Sequence, residues 1–156
     1  MSYCTVDDIG IALQKQLVEI DENTKKYYHE DSQPTEAQVT SIIERFSNII
    51  NGALKVAGIT LPVTSSILLP ILQHQNINGA AGYISGTYIK NADGNTQYNA
   101  YSGAFDKFLQ DVYGNPRKYN AIASENSADV PSSFNNVSSG YLTEKDLDFM
   151  KDVRFP

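Results

Sequence analysis

Side chains that commonly carry chemistry are few in this chain. It has two histidines, His29 and His74, and one cysteine, Cys4. Neither histidine belongs to a pair at the spacing of a metal site, and a single cysteine excludes an intrachain disulfide. Cys4 precedes a predicted helix, and a helix N-terminus can lower the pKa of a thiol. We nevertheless interpret Cys4 as a buried structural residue and His74 as a surface or interface histidine.

Catalytic and cofactor-binding motifs are not found either. The chain contains no G-x-S-x-G, no phosphate-binding loop and no dinucleotide fingerprint. Asn91, Asp93 and Asn95 alternate like the start of a calcium loop, but the glycine and the closing glutamate of that loop are missing from their positions. A glycosylation sequon at Asn136 lies in a Ser/Asn-rich stretch, where we attribute it to chance. The sequence therefore predicts no enzyme, no cofactor and no metal site.

The charge balance narrows the classes of partner. The net charge is −6, from 18 acidic against 12 basic residues, and the acidic excess lies mainly before Pro34. Because there is no stripe of Lys and Arg, direct nucleic-acid binding has little electrostatic support. No stretch approaches the roughly 20 apolar residues that span a membrane, and no apolar signal segment opens the chain. A length of 156 residues fits one domain with an appended arm.

The N-terminal third predicts one helix and a loop. Thr5 is a plausible N-cap, with Asp8 three residues later. Ile9, Leu13, Leu17 and Ile20 then recur at helical spacing, so we expect one helix through this region. The polar stretch 21–33 has no periodicity and predicts a loop, of which a few residues could extend that helix.

The next helix has the clearest signals. Thr35 and Gln38 form a capping-box pattern, and Gly58 is placed to end the helix. Its broad apolar face is formed by Val39, Ile42, Ile43, Phe46, Ile49, Ile50, Ala53, Val56 and Ala57. Gly52 costs about 1 kcal/mol relative to alanine inside a helix. Either the helix simply tolerates this glycine, or Gly52 marks a close helix crossing.

Two more helices follow. One begins between Ser65 and Pro70, runs to about Lys90, and carries a stripe of small residues at Gly79, Gly82 and Gly86. Such a stripe predicts close helix packing, either in the core or across a subunit contact. After a turn at 91–95, Thr96 can cap a fourth helix, whose aromatic face is Tyr98, Tyr101, Phe105, Phe108 and Val112. A β-hairpin over 88–101 is the competing interpretation, because an Asp-Gly pair lies at its centre.

The C-terminal part of the chain has a different composition. The fourth helix is expected to stop at Gly114-Asn115-Pro116, and ten of the 21 residues 120–140 are Ser or Asn. That composition cannot bury enough apolar surface to fold alone. The chain then ends on an apolar tip, which we define as residues 143–156, with Thr143 as the cap of a short helix. We expect the tip to bind a partner surface or its own domain through Leu147, Phe149, Met150, Val153, Arg154 and Phe155.

The predicted fold class is all-α. A small four-helix domain covers residues 1–116, and a long extended C-terminal arm, residues 117–156, ends in a short helix.

Three stretches then suggest a family. "YCTVDDI" opens the chain, "TEAQVTSIIERFSNIINGALKVAGITLPVT" lies in the middle, and "NINGAAGY" follows in the third helix. Their order and spacing, from about Tyr3 to Tyr113, resemble the head–tail connector proteins (head completion or adaptor proteins) of long-tailed bacteriophages and related prophages. The long Ser/Asn-rich arm with its apolar tip departs from the shorter members of that family.

This resemblance implies a structural role without catalytic residues or cofactors. It implies a ring, commonly of 12 copies, stacked beneath the portal protein in the neck of the virion and assembled in the host cytoplasm. Such a ring joins the portal to a downstream neck or tail-completion protein, with DNA only passing through its channel and no membrane involved. The C-terminal arm would reach toward the portal. The alternative is a small non-enzymatic helical adaptor that binds one soluble protein partner through its C-terminal arm.

Overall fold

The computed structural model of the chain describes residues 2–21, 24–89 and 92–124. Within them the chain forms five helices and one two-stranded antiparallel hairpin, which confirms the all-α class. In chain order the elements are α1 (Val6–Ala12), β1 (Val18–Asp21), β2 (Thr24–Lys26), α2 (Glu36–Val56), α3 (Leu68–Tyr88), α4 (Ala92–Gly114) and α5 (Pro116–Ser124).

The first helix begins as predicted and ends much earlier. Thr5 and Asp8 form a reciprocal capping box at the start of α1. The helix stops at Ala12, and Gln14 takes a left-handed conformation with φ 52°. The predicted helical positions Leu17 and Ile20 are therefore wrong, because the chain from Val18 onward alternates apolar and acidic residues at the period of a strand.

The predicted loop at 21–33 is also wrong in part, since β2 lies within it. Strand β2 pairs with β1 in the register Val18 with Lys26 and Glu19 with Lys25, and an irregularity separates Glu19 from Asp21. The third pair of this register is Asp21 with Thr24. Glu19 with Lys25 is therefore the one register pair that places opposite charges across the two strands.

Helix α2 confirms the local signals of the sequence. The capping box of Thr35 and Gln38 is formed, and Gly58 adopts φ +83° just beyond the helix. A Cβ added to Gly52 would meet no atom within 4 Å, so tolerance explains this glycine. The predicted apolar face is too broad on one side, because Val56 is 75% exposed.

Helix α4 begins inside the segment predicted as a turn. Residues from Ala92 are helical, so the hairpin over 88–101 does not form among the described residues. Thr96 lies within α4 and not at its N-cap, which corrects that assignment as well.

Helix α5 corrects the predicted domain boundary. Gly114 ends α4 as expected, but Pro116 then starts a new helix, where its missing N–H costs nothing. Tyr119 is buried and packs edge-on against Phe108, with 6.0 Å between ring centroids. The helical domain therefore includes residues 117–124, which the sequence placed in the extended arm.

The core consists of two apolar clusters that meet at Phe46. One cluster joins α2, α3, α4 and α5 around Leu54, Leu68, Leu72, Phe108 and Val112. The other joins α1, α2 and α3 around Ile9, Tyr28, Val39, Ile43 and Ile84. Phe46 packs against both clusters and stays partly accessible.

Candidate protein-binding surfaces

The single cysteine is buried, as predicted. Cys4 lies in the α1–α2–α3 cluster, where its burial, with the Asp8 carboxylate adding to the effect, raises the pKa of its thiol to about 12. The helix N-terminus beside it does not lower this pKa as the sequence suggested, because removal from water disfavours the thiolate more strongly. Cys4 is thus a poorly reactive structural thiol.

The two histidines lie in different environments. His29 accepts a hydrogen bond at Nδ1 from the Asp31 amide, with 3.3 Å between the atoms, in the loop before α2. His74 is exposed on α3. Over residues 2–21, 24–89 and 92–124, no three His, Cys, Asp or Glu side chains come together as a possible metal site.

Tyr28 is a buried polar group whose hydroxyl has no hydrogen-bond partner among the described residues. Its burial raises the pKa of the phenol to about 12. The Lys15 ammonium lies 4.2 Å from the centre of the Tyr28 ring, a cation–π contact that covers one face of it. Tyr28 therefore stabilises the domain through its ring and gains nothing from its hydroxyl.

We expect the free energy of unfolding to fall as the pH rises above about 9. The folded pKa values of Cys4 and Tyr28 are raised above those of the unfolded chain. At alkaline pH the unfolded chain therefore releases protons that the folded chain retains, and each group lowers the stability by at most about 1.4 kcal/mol per pH unit. Urea unfolding from pH 8 to 11 would measure the slope.

Tyr28→Phe removes one of these two groups and should make the decline shallower above pH 10. Tyr113→Phe is the matched control, since Tyr113 is 53% exposed. Equal declines for both variants and the parent chain would contradict the assignment to Tyr28.

The glycine stripe of α3 lies against neighbouring elements of the same chain. Gly79 faces the ring of Phe46, and Gly86 faces the ring of Tyr98. At Gly82 an added Cβ would stand 3.0 Å from the backbone nitrogen of Ser102 and 3.2 Å from Cβ of Tyr101. The stripe thus lets α4 approach the backbone of α3 closely.

Beside this stripe lies an open apolar cavity of about 320 Å³ between α2, α3 and α4. We call it the aromatic groove and define it by Phe46, Ile49, Tyr83, Tyr98, Phe105 and Leu109. Phe46 packs on Phe105 edge-on at 5.2 Å between centroids, and on Tyr83 at 6.3 Å. Tyr83 and Tyr98 remain 36% and 44% exposed, so the groove presents aromatic surface to solvent.

Charged groups border the aromatic groove. The Arg45 guanidinium lies 5.3 Å from the centre of the Tyr83 ring, and Asp106 lies in the groove wall. A groove with an apolar floor and a few charged groups at its rim is typical of sites that bind a peptide or another protein.

The β1–β2 hairpin forms a second surface with exposed apolar side chains. Leu17, Val18 and Ile20 are about half exposed, and two-stranded sheets alone are only marginally stable in water. The cavity beside the hairpin is about 470 Å³ and is rich in acidic side chains, with Glu19, Glu30, Asp31 and Glu36 in its wall. Among the four acidic side chains described for this wall, Glu36 alone forms a salt bridge, with the Lys26 ammonium at 2.7 Å.

The sequence pointed to neither surface directly. The predicted partner-binding residues of the apolar tip, Leu147, Phe149, Met150, Val153, Arg154 and Phe155, lie outside the described residues. The aromatic face of α4 was predicted, but its partition into buried Phe105 and Phe108 and exposed Tyr98 was not. The signal that could have located the groove is the use of Tyr at positions 83 and 98, since tyrosine suits surfaces that become buried on binding.

Comparison of the chain with known protein families, with characterised proteins and with solved structures finds no significant match. None of the described helices has the length and apolarity required to cross a membrane. The described residues form an all-α fold with two surfaces that expose apolar side chains, the aromatic groove and the β1–β2 hairpin.

Proposed function

We propose that the chain is a structural, non-enzymatic protein of a bacteriophage virion. In this proposal about 12 copies form a ring below the portal protein and join the capsid to a neck or tail-completion protein. The carrying observation is the aromatic groove, where the rings of Tyr83 and Tyr98 face solvent beside an apolar cavity, as is common at protein-binding surfaces. The resemblance of the three sequence stretches to head–tail connector proteins supports the neck of a virion as the kind of assembly.

Physical features of the chain support an assembly role. A ring repeats one contact between two unlike surfaces of neighbouring copies until the rotation closes. The hairpin and the aromatic groove are two such unlike surfaces, formed by different parts of the sequence. A net charge of −6 would let DNA pass through a channel without adhering, because carboxylates repel phosphates. The virion neck, assembled in the host cytoplasm, is the location that this role requires.

The apolar tip supplies attachment in this proposal. Leu147, Met150 and Val153 recur every three residues and form one stripe of a short helix, with Phe149 and Phe155 as anchors. Arg154 would pair with an acidic group on the portal. Because the Ser/Asn-rich stretch before the tip buries little surface alone, the tip gains its apolar burial on the partner.

The test is binding of the full-length chain to the portal ring of the same virus. We expect rings by negative-stain imaging and a joint complex in mass-resolved chromatography. Replacing Phe149 and Phe155 by Ser should weaken portal attachment at least tenfold, since two buried aromatic anchors are lost. Replacing Asn135 and Asn136 by Ser, in the same arm, is the matched control and should leave attachment unchanged.

A chain that stays monomeric and does not bind the portal would overturn the proposal. Tight one-to-one binding to a soluble protein, with no ring, would favour the helical adaptor instead. Equal attachment of the Phe149/Phe155 variant and its control would remove the role of the tip.

A further inference from the structure

The described residues leave the aromatic groove open to solvent. Phe46 packs against both core clusters, and its ring fills the space that a side chain at Gly79 would occupy, yet this ring stays partly accessible. Tyr83 and Tyr98 flank the opening of the groove with exposed rings. The opening of about 320 Å³ has room for a few apolar side chains of a single segment and not for a folded domain.

The end of α5 lies within reach of this groove. Ser65, three residues before α3, donates a hydrogen bond from Oγ to the Ile122 carbonyl oxygen at 2.7 Å, so the C-terminus of α5 is held near the start of α3. From Leu68, the first residue of α3, the groove residues Gly79 to Tyr83 lie about 16–22 Å further along the helix, at 1.5 Å per residue.

The linker length suits that distance. Ser124 and Thr143 are separated by 18 residues, which could span at most about 60 Å. A random-coil chain of 18 residues has a root-mean-square span of about 20–25 Å. When the span matches the distance between two sites on one chain, the effective concentration of the tethered segment at the second site is maximal.

The chemistry of the apolar tip matches the groove better than it matches the hairpin cavity. The tip has four acidic residues, Glu144, Asp146, Asp148 and Asp152, against three basic ones. The wall of the hairpin cavity is itself acidic and would repel such a segment. The Arg45 guanidinium lies near the Tyr83 ring of the groove, and Asp106 lines the groove itself, so both an acidic residue of the tip and Arg154 have a partner of opposite charge.

We propose that the aromatic groove is the docking site of the C-terminal segment 143–156 of the same chain. In this proposal Leu147, Met150 and Val153 cover the exposed rings of Tyr83 and Tyr98. This contact goes beyond the proposed neck function and holds whether or not the chain forms rings. Assembly on a portal would exchange it for a contact with the portal.

Paramagnetic broadening in the full-length chain tests this docking. A nitroxide spin label is attached to Asp152→Cys, which is polar and leaves the apolar stripe intact, and Cys4 escapes labelling because it is buried. In ¹⁵N-labelled protein we expect strong broadening of the amide signals of Gly79, Tyr83 and Ser102, unchanged on tenfold dilution.

Two substitutions in the groove provide the matched comparison. Tyr83→Ser with Tyr98→Ser should abolish the broadening, whereas Tyr113→Ser, on the exposed side of α4, should preserve it. Well-dispersed amide spectra establish that each variant is folded. If the double variant does not fold, the broadening pattern of the spin-labelled parent chain tests the docking by itself.

Three outcomes would overturn the proposal. Broadening in a mixture of ¹⁵N-labelled chain without a spin label and unlabelled chain with one would show that the tip of another copy occupies the groove. Broadening at Val18 and Ile20 in place of Gly79 would place the tip on the hairpin. Absence of broadening at every described amide would show that the tip does not dock on this domain. None of these results depends on ring formation or portal binding, so failure of the neck function is measured separately.

Discussion

A chain that ends at Pro116 is expected to be less stable than a chain that ends at Ser124 by at least about 3 kcal/mol. The shorter chain loses α5, and with it the buried ring of Tyr119, whose truncation alone would cost about 3–5 kcal/mol by analogy with Phe→Ala changes. The longer chain keeps every contact described for the helical domain. Urea unfolding followed by circular dichroism would compare the two.

Polar contacts add to the loss in the shorter chain. The Asn120 side-chain amide donates to the Ala57 carbonyl oxygen at 2.6 Å, and this carbonyl lies at the C-cap of α2. The Tyr119 hydroxyl donates to the Asp111 carboxylate at 2.8 Å. Burial, with this hydrogen bond adding to the effect, raises the pKa of the Tyr119 phenol above its usual value. Without α5 the Ser65 hydroxyl also loses its acceptor at Ile122.

A pair of single substitutions separates this effect from the change in length. In the full chain, Tyr119→Ala should lose about 3 kcal/mol or more, because Tyr119 is only 5% exposed. Tyr113→Ala, one turn before α5 and 53% exposed, should lose less than about 1 kcal/mol. Equal stability of the chains that end at 116 and 124 would show that α5 is not part of the folded domain.

Gly82→Val is expected to lower the free energy of unfolding by about 2–3 kcal/mol. Even the first added carbon would stand 3.0 Å from a backbone nitrogen of α4, and a backbone atom cannot rotate away as a side chain can. Valine therefore forces α3 and α4 apart and loosens the packing between them. Thermal unfolding would detect the change as a fall in Tm of several degrees.

Gly52→Val is the matched control on α2. Nothing lies within 4 Å of an added Cβ there, and valine has a slightly better helix propensity than glycine. We expect Gly52→Val to leave the stability unchanged or to raise it by a few tenths of a kcal/mol. Similar losses at both positions would mean that a β-branched side chain inside a helix, and not the contact of α3 with α4, decides the effect.

The elements that could be predicted from the sequence are those stabilised within one helical turn. The capping boxes of Thr5 with Asp8 and of Thr35 with Gln38 join residues three apart, and both are formed. Gly58 ends α2 because its own backbone can adopt a positive φ. Helices α2 and α3 were predicted from the recurrence of apolar residues along each helix. In all these cases the residues that interact are neighbours in the chain.

The remaining features depend on contacts between distant residues. Helix α1 ends at Ala12, whose carbonyl oxygen accepts a hydrogen bond from the Tyr101 hydroxyl at 2.7 Å, across 89 positions of sequence. The hairpin follows from that early end, since the apolar residues after it were compatible with a helix or a strand. Helix α5 likewise depends on Ser65 and Ala57, 57 and 63 positions away from their partners.

The aromatic groove shows the same division. The sequence alone determined that α4 carries an aromatic face and that α3 carries a stripe of glycines. Only the tertiary structure decided that Phe105 and Phe108 are buried while Tyr98 and Tyr83 face solvent beside Gly79. The physical reason is that exposure depends on how closely two helices approach and at which angle they cross, and neither quantity is contained in the periodicity of one helix.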